Sequence, residues 1–259
     1  MSVLAARIAG IGWWSDGLPD WAAARAFAST GALPAEAPAK PAPTLLAPNE
    51  RRRAPPSVLV ALEVALAACG DAGIAPDTLP SVFTSTHGDL GITDYMCATL
   101  AAAPAEVSPT KFHNSVHNAA AGYWTIGSGC MRTTTAISAH RASFAQGLVE
   151  AMVQLATDAD AVLLVGYDTS ASGLLSTVTR SQGLLGGALV LVRDGDGPLL
   201  SARLEQGDAA AGDGPLSTRA QGNAMAPMLP LFDALAAGDA ATVLHAGPGR
   251  RLVLDIDHG

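Results

Sequence analysis

The chain has 259 residues, with 15 Lys+Arg against 23 Asp+Glu and a formal net charge of −8; that excludes the clustered basic footprint of a nucleic-acid binder. It is 49% hydrophobic but only 5% aromatic and 15% charged, so Ala, Leu and Val build the core, and so little surface charge implies a covered patch. Three widely spaced cysteines, Cys69, Cys97 and Cys130, exclude a disulfide framework and read as small buried hydrophobes in a reducing cytoplasm.

Along the chain, residues 3–12 (VLAARIAGIG) predict a buried strand ending in glycine, with Trp13, Trp14 and Trp21 following around a loop. The apolar start is short, is interrupted by Asp16, and lacks the basic opening of a signal peptide. No run of roughly 18 apolar residues offers a membrane span. Residues 31–56 are proline-rich and predict an extended loop. The basic run Arg51-Arg52-Arg53 within it caps or precedes a helix. SVLVALEVALAACGDAG (57–73) predicts that helix, capped by Ser57 and ended by Gly70 or Gly73.

SVFTSTHGD (81–89) predicts a strand running into a polar loop, and 90–102 a helix. Residues 108–129 begin as a loop and become helical near Ser115. RTTTAI (132–137) is β-branched and strand-like, and 138–157 is a long Ala-rich helix. AVLLVGYDTS (161–170) is an uninterrupted apolar strand of the kind buried on both faces. This order predicts an α/β protein with a mostly parallel sheet. GALVLVRDG and GPLLSARLEQG, joined by Asp194-Gly195-Asp196-Gly197, predict a hairpin. Residues 208–226 predict a flexible loop, 228–238 a helix, and TVLHAG with RLVLDI the last strands. One domain over residues 1–259 accommodates all of this.

The chemistry concentrates at Thr135-Ala136-Ile137-Ser138, where a strand hands over directly to a helix. Enzymes mount nucleophiles at such turns, but Ile137 has no nucleophilic atom. Cys130 lies seven residues upstream, about 23 Å along an extended chain, too far to stand in. Ser138 lacks the G-x-S-x-G setting of a hydrolase and reads as a helix cap. His113 and His117 are four apart, the spacing of one helix face, but HNSVHN supplies no third ligand for zinc. His87, beside Asp89, falls at the C-terminal end of a strand, the functional edge of an α/β sheet.

Three segments together resemble the N-terminal half of a β-ketoacyl synthase, a condensing enzyme of the thiolase fold. They are TAIS with its following helix, SPTKFHNSVHNAAAGYWTI, and DAVLLVGYDTSA followed by GGALVLVRD. In the first, Ile137 stands at the family's cysteine. In the second, Asn118, Ala121, Gly122, Thr125 and Ile126 stand at recurring family positions. The RRR before the first long helix, Ser85-Thr86-His87-Gly88 and SVHNA are also similar to compact, cysteine-free relatives associated with aryl-polyene clusters, the chain-length factors of type II polyketide systems.

The resemblance implies a thiolase-like α/β fold, mostly its N-terminal half, with a mixed sheet and helices on both faces. It implies a non-catalytic chain-length factor in a heterodimer with a catalytic β-ketoacyl synthase, meeting an acyl carrier protein indirectly, with no cofactor and no metal. Phe112, Val116, Asn118 and Ile137 would line the acyl tunnel or partner interface, with Val116 as the apolar gate. Of the positive groups, Arg51, Arg52, Arg53 and Arg141 would be those able to meet an acidic carrier. A thiol-independent decarboxylase and a structural homodimer of the same fold are the alternatives.

Overall fold

The computed structural model describes residues 3–259. Eight strands form one sheet: β1 Leu4–Ser15, β2 Ser81–Thr84, β3 Thr134–Ile137, β4 Ala161–Asp168, β5 Leu185–Val192, β6 Leu199–Gln206, β7 Ala241–Gly247 and β8 Arg250–Asp257. Their order across the sheet is β3-β2-β4-β5-β1-β6-β8-β7. Only β3-β2 and β2-β4 are parallel; the other neighbours are antiparallel. The mostly parallel sheet expected from element order is therefore corrected to a mixed one. The cause is that an uninterrupted apolar strand reports coverage of both faces, not direction. Along β4, Val162 and Leu164 enter one core while Leu163, Val165 and Tyr167 enter the other.

Helices cover both faces. One side carries α3 (Pro56–Ala72) and α6 (Ala119–Ser128); the other carries α1 (Trp21–Thr30), α7 (Ser143–Thr157), α8 (Pro215–Ala220) and α9 (Leu229–Ala237). Short helices α2 (Pro48–Arg53) and α5 (Pro109–His113), and α4 (Leu90–Ala102), complete the set. The glycines of β1 set the packing of α3. A Cβ on Gly12 would sit 1.9 Å from the Val64 carbonyl oxygen, and one on Gly10 2.3 Å from that of Ala68. Backbone lies directly on backbone there, which only glycine permits.

Several expectations need correction. The hairpin does not form, because β1 inserts between β5 and β6: Arg7 pairs with Val192 on one side and Leu199 on the other. Trp13 and Trp14 lie within β1, one in each core, and Trp21 opens α1. The proline-rich stretch holds α2, whose last turn is Arg51-Arg52-Arg53. Ser57 does not cap α3; its hydroxyl donates to Asp89 Oδ2 at 2.8 Å. The expected loop 208–226 contains α8, with Leu216 and Ser217 buried. Cys69 and Cys130 are buried as expected, but Cys97 is exposed on α4.

Candidate functional site

The three parallel strands end together, with Thr84 level with Ile137 on one side and Gly166 on the other. Their C-terminal ends therefore deliver residues 85–89, 138–141 and 168–170 to one edge of the sheet, where α/β proteins place their sites. Asp168 organises this edge. It is 1% exposed. Its Oδ1 accepts the Ser85 hydroxyl at 2.6 Å and its Oδ2 the Thr86 N–H at 2.9 Å. Ser85 Oγ in turn accepts the Gly88 N–H at 2.8 Å. Asn223 fastens a distant segment to the same spot, donating to the carbonyls of Asp168 at 3.3 Å and Gln182 at 3.1 Å. Burial pushes the Asp168 carboxyl up to about 6, against the pull of those hydrogen bonds.

The elbow is longer than its sequence suggests. α7 begins at Ser143, and residues 138–142 form a turn in which His140 takes φ +52°. Ser138 is not the helix cap; its hydroxyl donates to the Thr86 carbonyl at 2.9 Å, tying the elbow to the β2 loop. The turn is instead held by Ser143, fully buried, whose Oγ accepts the Ala139 N–H at 2.9 Å and donates to the His140 carbonyl at 2.7 Å. A hydroxyl at 143 closes a tight 139–143 turn that a hydroxyl at 138 cannot reach across. Ile137, half-buried, packs against the core on the α7 side.

Phe112, Val116 and Asn118 come together at one groove. They line a groove of about 780 Å³ with Tyr123 and Ile126 of α6 and Leu46. Ile137 does not line it. The groove's apolar side chains are open: Phe112 is 62% exposed, Val116 50% and Ile126 81%. Nearby in sequence, Met131 is 95% exposed, just before β3. β3 is itself an edge strand of the sheet, with backbone groups free to pair with another chain.

The two histidines expected to share a helix face do not. α5 ends at His113, whose ring meets Tyr123 edge-on with centroids 5.9 Å apart. His117 lies in the following turn, its Nε2 2.9 Å from the Ser85 carbonyl. Among the described residues no three His, Cys, Asp or Glu gather as a metal site requires. Nor is any helix long and apolar enough to cross a membrane. Burial, with a smaller contribution from Cys130, pushes the Cys69 thiol up to about 12, so it stays protonated at neutral pH.

Residues 21–251 match the family described as beta-ketoacyl synthase, N-terminal domain. The chain belongs to that family. Its fold is the thiolase-like ketosynthase fold. It is similar to a structure of the ketosynthase ApeO in complex with its chain length factor ApeC from Xenorhabdus doucetiae, at 21% identity and TM-score 0.72, covering 98% of this chain and 97% of that one. The ishigamide ketosynthase/chain length factor gives 15% identity and TM-score 0.72, covering 98% and 99%. A type II polyketide complex, AntDE:AntF, whose acyl-carrier protein is bound with its ketosynthase, gives 11% identity and TM-score 0.74 over the whole of both chains. A search of curated protein sequences returns no significant match.

Asp168, Ser143 and Asn223 are not among the residues that the sequence motifs single out. Asp168 had a signal: an acid closing an otherwise apolar strand, AVLLVGYD. Asn223, 55 residues further on, had none.

Proposed function

We propose that this protein is a non-catalytic chain-length factor. It pairs with a catalytic β-ketoacyl synthase and helps shape the acyl tunnel in which a chain grows on an acyl carrier protein. The observation that carries this is Ile137. It closes the edge strand at the C-terminal end of the parallel strands with an aliphatic side chain, at the position where the resemblance puts the family's nucleophile. Condensation needs a thiolate there to hold the acyl group. The exposed apolar groove and the free edge of β3 are what a partner subunit would cover. In this reading Phe112, Val116 and Asn118 meet the partner or its tunnel, and Ile137 keeps the nucleophile position dry.

The neighbours support the pairing. In two of them a ketosynthase is accompanied by a chain length factor, and this chain spans nearly the full length of the chain it matches in each. Of a ketosynthase from Burkholderia phymatum it covers 72%.

Co-expression with candidate ketosynthases tests the reading. Stable co-purification and condensing activity that needs both chains are expected, with none from this protein alone. Turnover of a malonyl carrier by the isolated protein would instead identify a decarboxylase.

A further inference from the structure

A second feature of the elbow shares no lining residue with the apolar groove. Beside it lies a cavity of about 250 Å³, lined by Thr86, His87, His140, Arg141, Thr179 and Arg180 among others, and by no Asp or Glu. That is the reverse of the chain's composition, in which acids outnumber Lys and Arg 23 to 15. The arginines are also unspent. Among the described residues every Arg–carboxylate pair uses Arg193, Arg203 or Arg251, and neither Arg141 nor Arg180 makes one.

The imidazoles belong to the same cluster. The His87 and His140 rings stand edge to face, centroids 6.3 Å apart. Burial holds the His87 ring below its ordinary range, and His140 and His117 push it the same way. The groups around His87 are thus His140 and Arg141 from the elbow, His117 ahead of α6, and Arg180 across the cavity. Four acids are near in sequence or network: Asp213, which follows the lining Gly212, and three that are already engaged, of which Asp233 accepts from the lining Ser217 hydroxyl at 2.6 Å. Asp89 accepts from Ser57 and from the Ile92 N–H, and Asp168 accepts from Ser85 and the Thr86 N–H. His140 holds a left-handed backbone conformation, a strain that persists where surrounding structure enforces it and that concentrates at ligand sites.

We propose that this cavity binds a phosphate group. Guanidinium forks pair with phosphate oxygens in planar, bidentate fashion, and two arginines with two titratable imidazoles suit a dianion better than a single carboxylate. The cavity is smaller than the roughly 300–1,000 Å³ of sites for whole drug-sized ligands, so it takes the phosphate and a short ester tail.

The test is a titration of the full chain with inorganic phosphate and, separately, with glycerol 3-phosphate, read by the histidine imidazole resonances. Saturable shifts confined to His87 and His140 are expected, with His87 titrating at higher pH in the bound state. Tighter binding of glycerol 3-phosphate would identify an ester as the ligand; tighter binding of inorganic phosphate would identify the free ion. The double variant R141Q/R180Q, altered only at exposed positions, should bind at least tenfold more weakly. Arg25→Gln, exposed on α1 and outside the cavity's lining, should bind as the parent does. Unmoved His87 resonances, undiminished binding in R141Q/R180Q, or an equal response to chloride or acetate would overturn the proposal. The measurement uses this chain alone, so its outcome is independent of whether a ketosynthase partner is found.

Discussion

The Ser85 hydroxyl donates to Asp168 Oδ1 across 2.6 Å, deep in the protein, and so joins the end of β2 to the end of β4. This bond fixes the floor of the sheet edge on which the elbow rests. The burial of Asp168, which outweighs the pull of this bond, makes stability depend on pH. The Asp168 carboxyl lies near 6 in the folded chain against 3.8 for a free aspartate. A raised carboxyl means that between those values the folded state holds a proton that the unfolded state has lost. Stability from this group is therefore full below about 4, falls as pH rises, and levels off above about 6. The loss is on the order of 3 kcal/mol at most. In urea denaturation from pH 4 to pH 7, Asp168→Asn should remove this fall, leaving a shallower profile than the parent's. Parallel profiles would show that Asp168 titrates normally.

Glycine packing gives a paired prediction of opposite sign. Gly12→Ala drives a methyl into the Val64 carbonyl oxygen, a backbone atom that cannot swing aside. Overpacking of this kind costs about 3 kcal/mol, seen as a fall in Tm of about 6–12 °C. Gly70 lies within α3, with no atom within 4 Å of an added Cβ. Gly70→Ala should therefore stabilise the chain by about 0.5–1 kcal/mol through helix propensity. Calorimetry on both variants checks the sign in each case.

Ser143→Ala separates the observed turn from the one the motif suggests. Ser143 is fully buried and makes two bonds that close the 139–143 turn. Its loss should cost about 1–2 kcal/mol. Ser138→Ala loses a single bond from an exposed residue to the Thr86 carbonyl, and should cost about half as much or less. If the two costs were reversed in chemical denaturation, Ser138 would regain the capping role.

These cases show what the sequence could carry. Helix α4 is legible because Asp89 caps it, accepting the Ile92 N–H. β4 is legible because its apolar run has no break. The insertion of β1 between β5 and β6 is not legible, because Asp194-Gly195-Asp196-Gly197 has hairpin chemistry and nothing local says that a strand from the far N-terminus intervenes. The family motifs single out Ile137 and the Phe112–Asn118 segment as candidates. They did not reveal that Ile137 stays out of the groove's lining, since spacing along the chain does not say which side chains face one cavity. The Asp168–Asn223 link depends on a long-range contact between loops and is equally invisible.

Cysteine chemistry offers a further check. Cys69 and Cys130 are buried, and Cys130 Sγ is 3.4 Å from the Leu79 carbonyl. Cys97 is exposed. A native-state alkylation at neutral pH should modify Cys97 alone, with the other two reacting only after unfolding. Early modification of Cys130 would mean that it is presented to solvent, and would reopen a thiol-based activity.

The proposed partner face is tested by side chains that nothing in the isolated chain requires. Ile126 is 81% exposed and lines the groove with Val116 and Phe112. Ile126→Glu should leave stability within about 0.5 kcal/mol, as surface substitutions do. It should nevertheless weaken association with the ketosynthase at least tenfold, because an apolar contact is replaced by a charge that association would strip of water. Val116→Phe acts by volume instead. If Val116 faces the tunnel, the larger ring leaves room for fewer extender units and the co-expressed pair should release shorter products, with binding intact. Unchanged products with intact binding would place Val116 at the interface rim and remove it from the tunnel wall.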